Sequence, residues 1–167
     1  MNENGSGINI GVSGYAGSGK TLFCMQLSSV SGLRVLDADA EAFSFICSRP
    51  DVAARISEAF GTAPSEDETS RRELSKKVFR SIESLVRYNN IVQPYVREFI
   101  VQRLRGEGSG VILDAALIPY WGIREEFDTL IWIDADRTER VDRIASKSGL
   151  SYKGALERAG MQESLFS

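Results

Sequence analysis

The sequence predicts an α/β fold: a parallel sheet with helices on both faces. Three observations carry this. Short, β-branched apolar runs at 8–13 (INIGVS), 33–37 (LRVLD), 111–114 (VILD) and 129–134 (TLIWID) alternate with longer segments of helical spacing. The first run passes through a glycine-rich turn directly into a helix, the strand–turn–helix grammar of parallel sheets. The other three runs each end in an aspartate, at the carboxyl edge where ligands of such sheets collect.

Taken in order, 8–13 reads as a buried strand and 19–28 as the helix behind it, with Leu22, Phe23, Met25 and Leu27 apolar. The second strand, 33–37, runs into Asp37-Ala38-Asp39. A helix follows with Phe43, Ile46 and Cys47 on its apolar face. It stops at Arg49-Pro50, because proline disfavours helical backbone in the residue before it. Asp51 is expected to cap a short helix through Phe60. Residues 61–69 are a polar loop, and Ser70-x-x-Glu73 reads as a capping box. Leu74, Val78, Ile82, Leu85 and Val86 then predict one helix ending near Asn89-Asn90. Pro94 suits the first turn of a second helix carrying Val96, Phe99, Ile100 and Leu104. After a turn at 106–110 come the third strand, an irregular stretch through Pro119, Tyr120 and Trp121, and the fourth strand. Asp136-x-x-Glu139 is expected to cap a helix to about Ser146, and a last helix runs from the turn at 148–151 to about Glu163, leaving a short tail at 164–167.

Composition bounds the function. The 167 residues are 43% apolar and 26% charged, which suits one globular domain with a real core. No apolar run approaches the roughly 20 residues of a membrane helix. Residues 1–7 are polar, a lead-in and not a signal peptide, so the expected setting is cytoplasmic. A net charge of −3 gives no general grip on nucleic acid. There is no histidine, which excludes His-based triads and His-ligated zinc and leaves proton transfer to Asp or Glu. Cys24 and Cys47 have no metal or redox spacing and read as buried thiols.

The chemistry starts at Gly14-x-x-x-x-Gly19-Lys20-Thr21, a complete P-loop (Walker A) pattern. Gly14, Ala16, Gly17, Ser18 and Gly19 let backbone N–H groups converge on a phosphate chain, and the following helix adds its positive end. Lys20 reaches the β- and γ-phosphates of ATP, and the Thr21 hydroxyl can ligate Mg²⁺. Asp114 either completes the metal shell opposite Thr21 or caps a turn; beside a full P-loop the metal role is favoured. Of Asp37 and Asp39, the first reads as structural and the second as chemical, a group that orients an attacking hydroxyl. Arg140, Arg143 and Lys147 share a helix face, which serves either as a solvated basic face or as a nucleotide clamp. The helical region from Arg71 to Arg105 carries further cations, one or two of which could meet an anionic substrate. The sequence lacks Asp-x-x-Gly after the P-loop and lacks Asn-Lys-x-Asp, which argues against a GTPase, and its length argues against a motor. A small kinase remains.

GVSGYAGSGKT, VLDAD, Arg71-x-x-Leu74-x-x-x-Val78-Phe79, Val92-Gln93-Pro94, VILDAAL, TLIWIDA and Arg143…Arg158-x-x-x-Gln162 occur in that order. This series resembles the dephospho-CoA kinase family nearly end to end. The resemblance implies a three-layer α/β/α P-loop fold in a single domain. Its core would lie at about 8–48 and 106–140, a helical substrate region at about 49–105 and a lid at about 143–163. It implies transfer of the ATP γ-phosphate to the ribose 3′-hydroxyl of dephospho-CoA. Asp39 would be the base, Lys20 and Arg143 nucleotide contacts, and Asp37, Arg71 and Arg158 substrate contacts. The alternatives left open are a nucleoside or nucleotide kinase on the same scaffold and a non-catalytic ATP-binding regulator, with room for a homo-oligomer. Gln93, Phe43, Tyr120 and Lys147 depart from the family pattern, and the sequence ends soon after Gln162 without the family's final strand and helix. The strand at 129–134 is therefore expected to be an open sheet edge.

Overall fold

A computed structural model describes residues 7–106 and 108–165. Most of the polar lead-in, the end of the tail and one residue of the 106–110 turn lie outside the described residues. The chain forms two compact units, one from residues up to Ala38 and from Ile100 onward, the other from Asp39 to Phe99.

The first unit is built on four parallel strands in the order β2-β3-β1-β4: β1 Ile8–Ser13, β2 Arg34–Asp37, β3 Gly110–Asp114 and β4 Thr129–Trp132. β4 is an edge strand, as the sequence implies. Because strand side chains alternate, the register sorts them onto two faces. Val12 and Ile112 pack with Cys24 of helix α1 (Lys20–Ser31) on one face, joined by Ile10, Val35, Ile131 and Ile133. On the other face Gly11 makes room for Leu130, Phe127 and Ile118; a Cβ there would run into the end of the Leu130 side chain, which would have to move, and would lie tight against the other two. The intervening chain holds a short helix, α6 (Ile118–Trp121), and a 3-10 turn (Arg124–Glu126) where an irregular stretch was expected. Helices α7 (Arg137–Ser148) and α8 (Tyr152–Ser164) pair through Val141, Ile144, Ala155 and Ala159. Asp136 and Ser151 cap them, accepting from Thr138 N–H at 2.8 Å and Gly154 N–H at 3.2 Å. Glu139 turns to Arg143 and not back to the cap, so the expected capping box is only half formed.

The helical unit corrects several expectations. Helix α2 (Ala38–Cys47) starts directly after β2. Helix α3 (Pro50–Phe60) is capped by Arg49 with Pro50 in its first turn; Asp51 lies inside the helix and binds the Arg49 guanidinium at 2.8 and 2.9 Å. Helix α4 (Glu68–Val78) starts earlier than the Ser70 capping box implied: Asp67 is the cap, and it accepts from the Ser70 N–H at 2.9 Å. The largest difference is the break between helices. It falls at residues 79–81, and α5 (Ile82–Gly106) then runs 25 residues straight through Pro94. Ser81 caps α5, its hydroxyl accepting from the Ser84 N–H at 3.2 Å. Leu85, Asn89, Val92, Val96, Ile100 and Leu104 form one continuous buried stripe, while Pro94 sits on the exposed face. Burial along that stripe outweighs the lost hydrogen bond at Pro94.

Ser81→Ala is expected to lower stability by about 1 kcal/mol, the usual value of a serine cap. Pro94→Ala is expected to raise it by about 1–2 kcal/mol, since alanine restores an interior N–H donor. Urea unfolding midpoints check both. A helix boundary at Asn90–Pro94 would instead make Ser81→Ala neutral and Pro94→Ala destabilising.

Candidate functional site

The turn from β1 to α1 takes its shape from glycines. Gly14, Gly17 and Gly19 have φ of 145°, 77° and 99°, which other residues rarely adopt. Gly14 lies against the Ile133 carbonyl and Gly17 against the Arg140 backbone, each too close for a side chain. The Ser18 N–H closes the turn onto the Tyr15 carbonyl at 3.2 Å, and Lys20 Nζ donates to the same oxygen at 2.9 Å. With α1 starting at Lys20, its first-turn N–H groups have no intrahelical acceptor and face outward as an anion site. Ser18 is buried, and its hydroxyl has no partner among the described residues.

Parallel register brings distant residues under this turn. Asp114 pairs with Val12 on one side and Asp37 on the other, so all three lie at the carboxyl ends of their strands. The Thr21 hydroxyl donates to Asp114 Oδ2 at 2.6 Å. Asp114 is only 7% exposed. Thus the two expected metal ligands, 93 positions apart, are in contact. Beneath them Cys24 is fully buried; burial first, then the nearby Asp114, pushes its thiol up to about 12, opposed by Lys20.

Helices α7 and α8 close on the outer half of the turn. Arg143 donates to the Gly17 carbonyl and to Glu139, both at 3.0 Å. Arg140 does not share its setting. It is 5% exposed and lies over the Tyr15 ring at 4.7 Å. It donates to the Ala135 carbonyl at 3.2 Å and to Glu163 at 2.6 Å. Tyr15 in turn meets Trp132 edge-on at 5.3 Å. The Gln162 amide oxygen accepts the Ala16 N–H at 2.5 Å. The basic face therefore splits: Arg143 and Lys147 are exposed, whereas Arg140 is buried. Tyr15 and Glu163 are the residues that sequence reasoning missed, and Arg140 is the one it placed on the wrong face. The available signal was position, since Arg140 falls on the same helical stripe as Val141 and Ile144. Arg158 is half-buried on α8, one turn before Gln162.

The helical unit holds the other expected residues. Asp39 is exposed in the first turn of α2, two residues beyond Asp37. Arg71 of α4 lies over the Phe43 ring at 4.5 Å. Burial pushes the Tyr88 phenol up to about 12; Cys47 and Asp39 act in the same direction and Arg71 opposes. Gln93 Nε2 reaches Asn89 Oδ1 on its own helix at 3.5 Å. In the other unit Tyr120 is 42% exposed on α6.

A family model described as dephospho-CoA kinase matches residues 8–165. The chain belongs to the dephospho-CoA kinase family. Its curated relatives include the dephospho-CoA kinase of Salinibacter ruber, 36% identical over 162 residues, spanning 93% of this chain and 80% of that one. The dephospho-CoA kinase of Deinococcus radiodurans is 31% identical over 92% of this chain and 75% of its own. Among solved structures, TT1252 from Thermus thermophilus aligns with a TM-score of 0.66 at 30% identity, covering 95% of this chain and 83% of that one. Dephospho-CoA kinase from Campylobacter jejuni aligns at 0.56 and 21% identity over 95% and 81%, a likeness of fold. A family member uses ATP, and the turn described above carries the complete P-loop pattern.

Two outcomes follow from this geometry. Cys24 is expected to resist thiol reagents at pH 8 until the protein unfolds, because a thiol at about 12 is almost wholly protonated there; labelling with and without denaturant, read by mass, checks it. Glu163→Gln is expected to cost about 1–2 kcal/mol at neutral pH. That is less than the roughly 3–5 kcal/mol of a fully buried pair, since Glu163 keeps some solvent contact. Burial alone would raise the Glu163 pKa, but Arg140 and Arg137 hold it below the usual value. Its contribution is therefore present above about pH 4.3 and fades as pH falls further. Acid unfolding of Glu163→Gln should show a flatter limb below that pH.

Proposed function

We propose that this chain transfers the γ-phosphoryl group of ATP to the ribose 3′-hydroxyl of dephospho-CoA. The observation that carries this is the Thr21–Asp114 hydrogen bond beside a complete phosphate loop, in a chain of this family. ATP phosphates lie against the turn Gly14–Thr21, met by those of its N–H groups that neither Gln162 nor the Tyr15 carbonyl already holds, with Lys20 on the β- and γ-phosphates. Arg143 adds positive charge from α7, and Arg158 of α8 meets the acceptor together with Arg71 and Asp37.

Mg²⁺ fits the donor set. Thr21 and Asp114 offer hard oxygen ligands only, and among the described residues no three Cys, Asp or Glu cluster as an all-protein cage. Mg²⁺ characteristically takes one or two such ligands and fills the rest with water and phosphate. Bound there, it would neutralise charge on the β- and γ-phosphates.

The acceptor hydroxyl oxygen forms a bond to the γ-phosphorus as the bridging oxygen–phosphorus bond breaks, and ADP leaves with that electron pair. The hydroxyl proton goes to the Asp39 carboxylate. Arg71 and Asp37 hold the acceptor, Arg71 by its anionic groups. The partner is thus a small molecule. Among the described residues no helix is long and apolar enough to cross a membrane, and work in the cytoplasm, where ATP is held, suits this reading.

The test is ADP release across dephospho-CoA, pantetheine derivatives, nucleosides, AMP and dCMP, with Mg²⁺. Stimulation by dephospho-CoA alone is the expected result. Stimulation by nucleosides or nucleotides instead would move the chain to another kinase class, and tight ATP binding without any acceptor response would make it a binding protein. Asp39→Asn is expected to lower kcat by at least about 100-fold while leaving the KM for ATP within about threefold, the pattern of a lost general base. Removing Mg²⁺ with EDTA should abolish turnover.

A further inference from the structure

The geometry points to Gln162 as a further positioning residue, one that sets the phosphate loop by holding the Ala16 N–H from α8. A turn with positive-φ glycines at 14, 17 and 19 has little local preference for one shape. Something outside the turn must choose the shape, and three contacts converge on its middle. The Ala16 N–H donates to Gln162 Oε1 at 2.5 Å. The Ala16 methyl packs into the apolar contact between α7 and α8, beside Val141, Ile144, Ala155 and Ala159. Gly17 lies flush on the Arg140 backbone and gives its carbonyl to Arg143 at 3.0 Å. Of these, only the Gln162 bond reaches the loop from α8 by a polar side chain.

The chemistry of the residue suits the task. A neutral amide oxygen accepts a backbone N–H without placing negative charge beside ATP phosphates; a carboxylate at the same place would repel them. Gln162 also shares a helix face with Arg158, four positions earlier. Its bond to Ala16 ties that face of α8 to the loop. Next to it, Glu163 holds the buried Arg140, which lies over Tyr15. Two adjacent residues of α8 thus hold two adjacent residues of the loop. Gln162 acts on ATP binding through the loop.

The inference rests on the reading of Gly14–Thr21 as the ATP site, and the experiment separates the two. Gln162→Met keeps length and removes the acceptor, while Gln162→Glu keeps an acceptor and adds charge. In the nucleotide-free wild type, the Ala16 amide is expected to exchange slowly with solvent. In Gln162→Met it should exchange at least about tenfold faster, and in Gln162→Glu it should stay slow. For Gln162→Met the KM for ATP should rise about tenfold, the worth of one backbone hydrogen bond, with kcat and the acceptor KM within about threefold. For Gln162→Glu the KM for ATP should depend on salt, falling back toward the wild type as ionic strength rises. A freely exchanging Ala16 amide in the wild type overturns the inference. So does a Gln162→Met variant that loses protection at Ala16 yet keeps the wild-type KM for ATP, or one in which kcat and both KM values worsen together with a fall in Tm. A wild type with a protected Ala16 amide but no ATP binding overturns the functional reading, and the positioning role with it, while leaving the bond itself in place.

Discussion

The Thr21–Asp114 hydrogen bond is possible only because β1 and β3 pair in parallel with one register. Val12 faces Asp114, so the helix that follows β1 begins over the end of β3. A slip of one residue would turn every β3 side chain to the opposite face and carry Asp114 away from the helix. The register is held from both sides of the sheet. On one, Val12, Ile112 and Cys24 form a dry cluster. On the other, Gly11 admits Ile118, Phe127 and Leu130 so closely that a side chain there would force the Leu130 side chain to move. A glycine in the middle of a strand usually weakens it; here it is the close approach that justifies it.

The second constraint is that the phosphate loop is part of the α7–α8 packing and not a free turn. Ala16 packs among the helix contacts, and Tyr15 is enclosed by Trp132 on one side and Arg140 on the other. Burying Arg140 would be costly alone. It is tolerated because Glu163 neutralises it, the Ala135 carbonyl accepts from it and the Tyr15 ring faces it. One consequence is that a substitution on α8 is felt at the loop.

How much of this was legible in the sequence follows from how local each signal is. The strands and the phosphate loop are written in consecutive residues, so their reading survives intact. Asp114 was identified because a strand-end carboxylate is informative beside a P-loop, although the 2.6 Å contact with Thr21 depends on register that no local pattern states. Local signals failed where two of them competed. Pro94 and Asn89-Asn90 together read as a helix boundary, yet the buried stripe from Leu85 to Leu104 carries the helix past them, and the quieter Ser81 cap marks the true start. Ser70 and Glu73 matched a capping box, but Asp67 three residues earlier is the better acceptor. Arg140 was hidden by company: between Arg137 and Arg143 it reads as one more surface charge, and only the packing of Val141 and Ile144 beside it turns it inward.

The helical unit shows why departures from a family pattern need physical reading before they are read as loss. Phe43 departs from that pattern, yet it supplies a ring, and Arg71 lies over that ring at 4.5 Å. A guanidinium over a ring face is held there without spending its in-plane N–H donors on the ring. Tyr88 adds a phenol held neutral at physiological pH, because burial raises it to about 12 and the nearby Cys47 and Asp39 reinforce the shift. A neutral hydroxyl remains a hydrogen-bond donor there. An arginine over an aromatic ring and a largely buried phenol thus seat two polar groups of this unit on apolar surface.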